Sequence, residues 1–176
     1  HTDTHAVPPA MQEPSESGLA PESALLRRLT LELERAGFHE QDVSVAMFGF
    51  SLGSRGDEMY ARNARAILQF FSFEDLCFEY ADREVVVIFP GTTLSDALGQ
   101  LERFQRFYWE ERHNWNAPDA DLAIGVSARN GRLVEGGRVL GECRTALQRA
   151  EKSSGRIMGF QPDPQRYRAE LLNQSR

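Results

Sequence analysis

The chain has 176 residues, about one domain's worth, and 41% of them are hydrophobic, enough for a real core. A net charge of −6 argues against a broad basic surface for nucleic acid. No apolar run approaches the ~20 residues that a membrane span needs, and no signal-peptide pattern opens the chain.

The first stretch, 1–20, is rich in Pro, Ser, Thr and Glu and poor in large apolar residues. Such a composition cannot bury a core, so it reads as a disordered linker to a sensor or membrane segment outside this chain. From Pro21 the pattern changes. Leu25, Leu26, Leu29, Leu33 and Ala36 follow helical spacing, with Gly37 as the expected stop. Asp42 to Phe50 is β-rich and apolar on both faces, as in a central strand. Arg55 to Phe71 predicts a second helix, and Leu76–Tyr80 with Val85–Phe89 a hairpin. Pro90-Gly91-Thr92-Thr93 ends the second of these strands, and a threonine there caps a helix reaching about Arg112, in which Leu94, Ala97, Leu98, Leu101, Phe104 and Tyr108 recur at three and four. Asp121–Ala128 is a further strand, Arg138–Lys152 a helix and Ile157–Phe160 a last strand, before a C-terminal tail at 166–176 with a short polar helix. Cys77 and Cys143 fall in a strand and a helix, and two isolated cysteines make neither a disulfide framework nor a zinc site. They read as buried free thiols in a reducing compartment. The order β-α-β-β-α-β-α-β predicts an α+β, ferredoxin-like domain over 21–165, its central, mostly antiparallel sheet flanked by helices.

Five partial motifs fall along this order. They are Ser17-Gly18-Leu19-Ala20 before the first helix, Gly56-Asp57-Glu58-Met59-Tyr60, the hairpin Glu79-Tyr80-Ala81-Asp82-Arg83-Glu84-Val85, the strand DLAIGVSA, and Cys143-Arg144-Thr145-Ala146-Leu147 running on to Gly155-Arg156. Together they resemble the GGDEF domains of diguanylate cyclases, with their nucleotidyl-cyclase palm, whose hairpin reads R-Y-G-G-D/E-E-F. The resemblance covers about Ser17 to Phe160. It implies a site for GTP and two metal ions at the hairpin, and a signalling role centred on cyclic di-GMP.

The residues at that site depart from the pattern. Ala81 and Asp82 replace the glycine pair, and Arg83 replaces a metal-binding acid; Glu84 alone remains of the acidic pair. The first strand, where the family carries D-x-D-x-F, reads Met47-Phe48-Gly49-Phe50-Ser51, without an acid. The turn after it is several residues short and lacks the family's guanine-reading Asn. Asp57 survives, with a plain helix N-terminus as its other reading. At the family's inhibitory R-x-x-D site, Ser72 replaces the arginine and Asp75 is kept. Lys152, the one lysine of the chain, falls near a phosphate-binding lysine, with Glu151 competing for the position.

These departures predict an inactive homologue: no catalytic residues, no metal ligands and no cofactor. Asp57, Ala81, Asp82, Arg83, Glu84 and Lys152 are vestigial nucleotide-site candidates, and Asp75 a vestigial inhibitory-site candidate. The expected role is a regulatory or interaction module that docks a protein partner or its own copy, in the cytoplasm or as the cytoplasmic part of an anchored protein. The alternatives are a receptor that binds GTP or a cyclic dinucleotide weakly without turnover, and a cyclase with rearranged ligands. Arg55-Gly56-Asp57 spells RGD, read as chance at a helix start. Trp109 and Trp115 read mainly as core and loop anchors, with a partner surface as the minor reading.

Overall fold

The computed structural model describes residues 16–161. The polar helix expected in the tail and most of the expected linker lie outside them. Nine elements follow one another: α1 (Leu25–His39), β1 (Val43–Phe50), α2 (Glu58–Phe71), β2 (Cys77–Tyr80), β3 (Glu84–Pro90), α3 (Leu94–Asn114), β4 (Leu122–Ala128), α4 (Gly136–Glu151) and β5 (Ile157–Gly159). The sheet order is β2-β3-β1-β4-β5, antiparallel except for the parallel β4–β5 pair.

β1 is central, as its two-sided apolar pattern requires, because alternate side chains enter different cores. Ala46, Phe48 and Phe50 join Ile67 and Phe71 of α2 and Leu101 and Phe104 of α3 on one face. Val43, Val45 and Met47 join Leu25, Leu29 and Leu33 of α1 and Val139, Cys143 and Leu147 of α4 on the other. Both cysteines are buried free thiols, and burial pushes each up to about 12.

Several boundaries move. α1 runs past Gly37 to His39, and Glu40 takes the left-handed cap at φ 53°. One internal glycine costs a helix only about 1 kcal/mol, which the packing of Leu33 and Ala36 offsets. α2 starts at Glu58 because Asp57 caps it, its carboxylate accepting from the Tyr60 N–H. α3 continues to Asn114, and α4 spans Gly136–Glu151.

The end of the expected linker belongs to the fold. Leu19 is fully buried. Ala20 pairs with β2, donating to the Cys77 carbonyl at 2.8 Å and accepting from the Glu79 N–H at 2.9 Å. The backbone groups of the edge strand β2 are thereby partly satisfied.

Candidate functional site

The hairpin turn Ala81–Arg83 joins β2 to β3 beside the C-terminal end of β1. Ala81 holds φ at 42°, a left-handed conformation suited to glycine. Its N–H donates to a carboxylate oxygen of Glu22, in the 3-10 turn before α1. The Asp82 carbonyl accepts from the Arg55 N–H at 2.9 Å, and the Arg83 carbonyl from the Phe50 N–H at 3.2 Å. The Arg83 guanidinium donates to the Ser51 carbonyl at 3.3 Å. Four polar groups of the turn are therefore engaged within the chain.

Glu84, the surviving signature acid, is engaged too. Arg144 of α4 grips both its oxygens, each at 2.5 Å, in the fork geometry that makes such pairs strong. The hydrogen bonds it donates to Glu84 raise the Arg144 guanidinium above its ordinary value. The same guanidinium lies over the Tyr80 ring, 5.8 Å from its centre. Across the pair, Met47 of β1 is fully buried. At Gly49 a side chain would meet Leu147 at 3.4 Å and the Glu151 carboxylate at 3.7 Å.

The loop between β1 and α2 closes directly onto the helix. Asn63 donates to the Leu52 carbonyl at 2.9 Å and accepts from the Tyr108 hydroxyl at 2.8 Å. Gly53, at φ 108°, passes so close to α2 that an added Cβ would lie 2.8 Å from the Tyr60 nitrogen. Burial pushes the Tyr60 phenol up to about 12, so it stays a neutral donor, here to the Glu84 carbonyl at 3.3 Å.

Asp57 is a cap. Its two oxygens accept from the Tyr60 and Ser54 N–H groups, each at 2.8 Å, and these bonds hold its carboxyl below the ordinary value. Arg55 bridges Glu22 and Glu79, each at 3.2 Å, and Glu79 accepts from the Ser17 hydroxyl at 2.9 Å. The RGD triplet is thus spent on a helix cap and an ion-pair cluster. Arg55, Asp57, Tyr60 and Glu79 line a cleft of about 420 Å³ together with Glu16 and Glu58.

Ala81, Asp82, Arg83 and Glu84 are brought together at the hairpin, and Lys152, the exposed C-cap of α4, lies at the same end of the sheet. Glu151, however, is the residue of that helix end whose carboxylate lies by β1. Asp75 is remote from the turn. It is exposed and 3.4 Å from Arg28 of α1, while Ser72 forms the left-handed cap of α2 at φ 59°. Trp109 donates to Asp121 at 3.0 Å and Trp115 packs edge-on against Tyr108, so both anchor the α3–β4 loop. Sequence reasoning missed Arg144, Glu22, Arg55 and Glu79. For Arg144 a signal existed: it stands where the resembled A-D-x-A-L motif has an acid.

No protein-family model matches the chain, and no curated protein matches it in sequence. Among solved structures, the GGDEF domain of DgcB from Caulobacter crescentus, in complex with c-di-GMP, superposes with a TM-score of 0.70 at 18% identity, over 80% of this chain and 91% of that one. This chain has the GGDEF-domain fold. The active GGEEF domain of a diguanylate cyclase from Vibrio cholerae gives a TM-score of 0.67 at 17% identity, over 80% and 97%. The FimX GGDEF domain from Pseudomonas aeruginosa gives 0.66 at 15%, over 85% and 99%. The two metal ions implied by the resemblance of the motifs would need carboxylate oxygens at the hairpin and the end of β1. The residues present do not fit them. Arg144 neutralises Glu84, Arg83 adds a second cation, and Met47 and Gly49 offer no oxygen ligand from their side chains. Among the described residues, no three His, Cys, Asp or Glu side chains converge as a metal-binding group.

Proposed function

We propose that this chain is a non-catalytic signalling module of the GGDEF fold, acting by contact with a protein partner, in the first place its own copy. The observation that carries the reading is the Arg144–Glu84 fork, which turns the one surviving signature acid into a structural ion pair. Phosphoryl transfer depends on positioned cations and open coordination, and here the Glu84 carboxylate is held by Arg144 and the Ala81 N–H by Glu22. A neighbour of the same fold, the diguanylate cyclase SiaD from Pseudomonas aeruginosa, is solved in complex with its activator SiaC, at 21% identity and a TM-score of 0.62. Protein contact is therefore a mode of regulation compatible with the fold. No helix among the described residues is long and apolar enough to cross a membrane. We place the domain in the cytoplasm, on its own or as part of an anchored protein.

A receptor that binds GTP or a cyclic dinucleotide without turnover is the second reading. The cleft beside the hairpin disfavours it, since Glu16, Asp57, Glu58 and Glu79 repel phosphate and Arg55 is already paired. Calorimetry with GTP and cyclic di-GMP separates the two: no heat at millimolar ligand fits the interaction module, and a saturable isotherm contradicts it. Light scattering over a concentration series tests self-association itself, which a monomer at every concentration would rule out.

A further inference from the structure

The outward side of α1 carries a stripe that the fold leaves uncovered. Arg27, Leu31, Glu34 and Phe38 stand at spacings of four, three and four residues, within roughly 60° of arc at ~100° per residue. Phe38 is 85% exposed and Leu31 47%, with Leu26 at 52% on the flank. Large exposed apolar side chains at heptad spacing are the mark of a helix seam. Arg27 and Glu34 form no ion pair among the described residues, whereas Arg28 and Arg35 of the same helix both reach Glu32. Beside the stripe runs a groove of about 760 Å³, whose near wall includes Ala24, Arg27 and Leu31 and whose far wall includes Phe78.

We infer that α1 is the face on which two copies of this chain associate, antiparallel and about a two-fold axis at Thr30 and Leu31. The charges argue for this occupant. A cation and an anion stand on either side of the Thr30–Leu31 midpoint, so an antiparallel copy sets Arg27 of each chain against Glu34 of the other. A parallel copy would set like charge against like. This is the self-complementarity that a two-fold interface requires, in which each contact occurs twice. In the same register Leu31 of each copy packs at the axis. Phe38 of each copy reaches Ser23 and Ala24 of the other, at the mouth of the groove. The inference rests on the self-association proposed above and names its surface and register.

Sedimentation velocity of the full chain over a concentration series tests it, with Arg27→Glu, Glu34→Arg, the double variant and Leu31→Glu. All three positions are exposed on one helix, and a thermal midpoint equal to the wild type's, compared at dilutions where both are monomeric, confirms folding. The wild type is expected to dimerise. Each single charge reversal is expected to raise the dissociation constant about tenfold, by replacing two attractive pairs with two repulsive ones. The double reversal restores the wild-type value to within about twofold, and Leu31→Glu abolishes the dimer. A wild-type dimer untouched by all four variants overturns the α1 interface and leaves self-association standing. Single variants that weaken the dimer without recovery in the double overturn the antiparallel register. A wild type that stays monomeric overturns both the α1 interface and self-association.

Discussion

Replacing Arg144 by alanine strips Glu84 of both its charge-assisted hydrogen bonds and leaves a carboxylate that is only 14% exposed. Breaking a fully buried pair costs about 3–5 kcal/mol, and an exposed one about 0–1 kcal/mol. Arg144 is 37% exposed, so water reaches one side of the fork and the cost falls between these limits, at about 1.5 kcal/mol. The contact of the guanidinium with the Tyr80 ring adds about 0.5 kcal/mol. A total of about 2 kcal/mol lowers the thermal midpoint of a domain of this size by roughly 4–8 °C. Urea unfolding of the wild type, Arg144→Ala, Glu84→Gln and the double variant measures it. The expected coupling between the two sites is about 1–2 kcal/mol. Strictly additive single effects, or an Arg144→Ala midpoint equal to that of the wild type, would refute the idea that the fork locks the hairpin.

Two further predictions address the frame around the site. A methyl group on Gly125 would fall on the backbone of Cys143 and Leu147, 2.7 Å from the Leu147 Cα, where α4 packs on β4. Gly125→Ala is therefore expected to cost about 3 kcal/mol or to prevent folding, and wild-type stability in urea would contradict that packing. Glu142 is buried and accepts from Ser127 at 2.8 Å and from Arg132 at 2.7 and 2.8 Å. Burial pushes its carboxyl up, but the hydrogen bonds from Arg132 and Ser127 outweigh it and hold the group below its ordinary value. Its folded-state value is thus depressed, so its contribution is full above the unfolded value of about 4.3 and is lost as pH falls further. Glu142→Gln should be about 2 kcal/mol less stable at pH 7, with the gap closing below about pH 4; a gap that stays constant down to pH 3 would contradict the linkage.

The elements were legible because each writes its period locally. Alternating faces in β1, the three-and-four spacing in α3 and the polar turn at Asp82 all reappear in the structure. Gly37 misled because a glycine is only a weak helix breaker when its neighbours Leu33 and Ala36 are buried. Leu19 was hidden as a single apolar residue among serine, glycine and proline, and its burial depends on pairing with a strand far along the chain. The hairpin was legible in the apolar pattern of its two strands around the polar turn. The engagement of its residues was not legible, because the partners Glu22, Arg55 and Arg144 come from distant segments. Arg144 is the instructive case: its motif position announced a reversed charge, but only the fold brings α4 to Glu84.

The central claim, that this hairpin no longer performs nucleotide chemistry, is tested most directly by product analysis after incubation of the full chain with GTP and Mg²⁺ or Mn²⁺. The account predicts unconsumed GTP and no linear or cyclic dinucleotide. Product that rises with protein concentration and disappears in an Arg83→Ala or Glu84→Gln variant would contradict it.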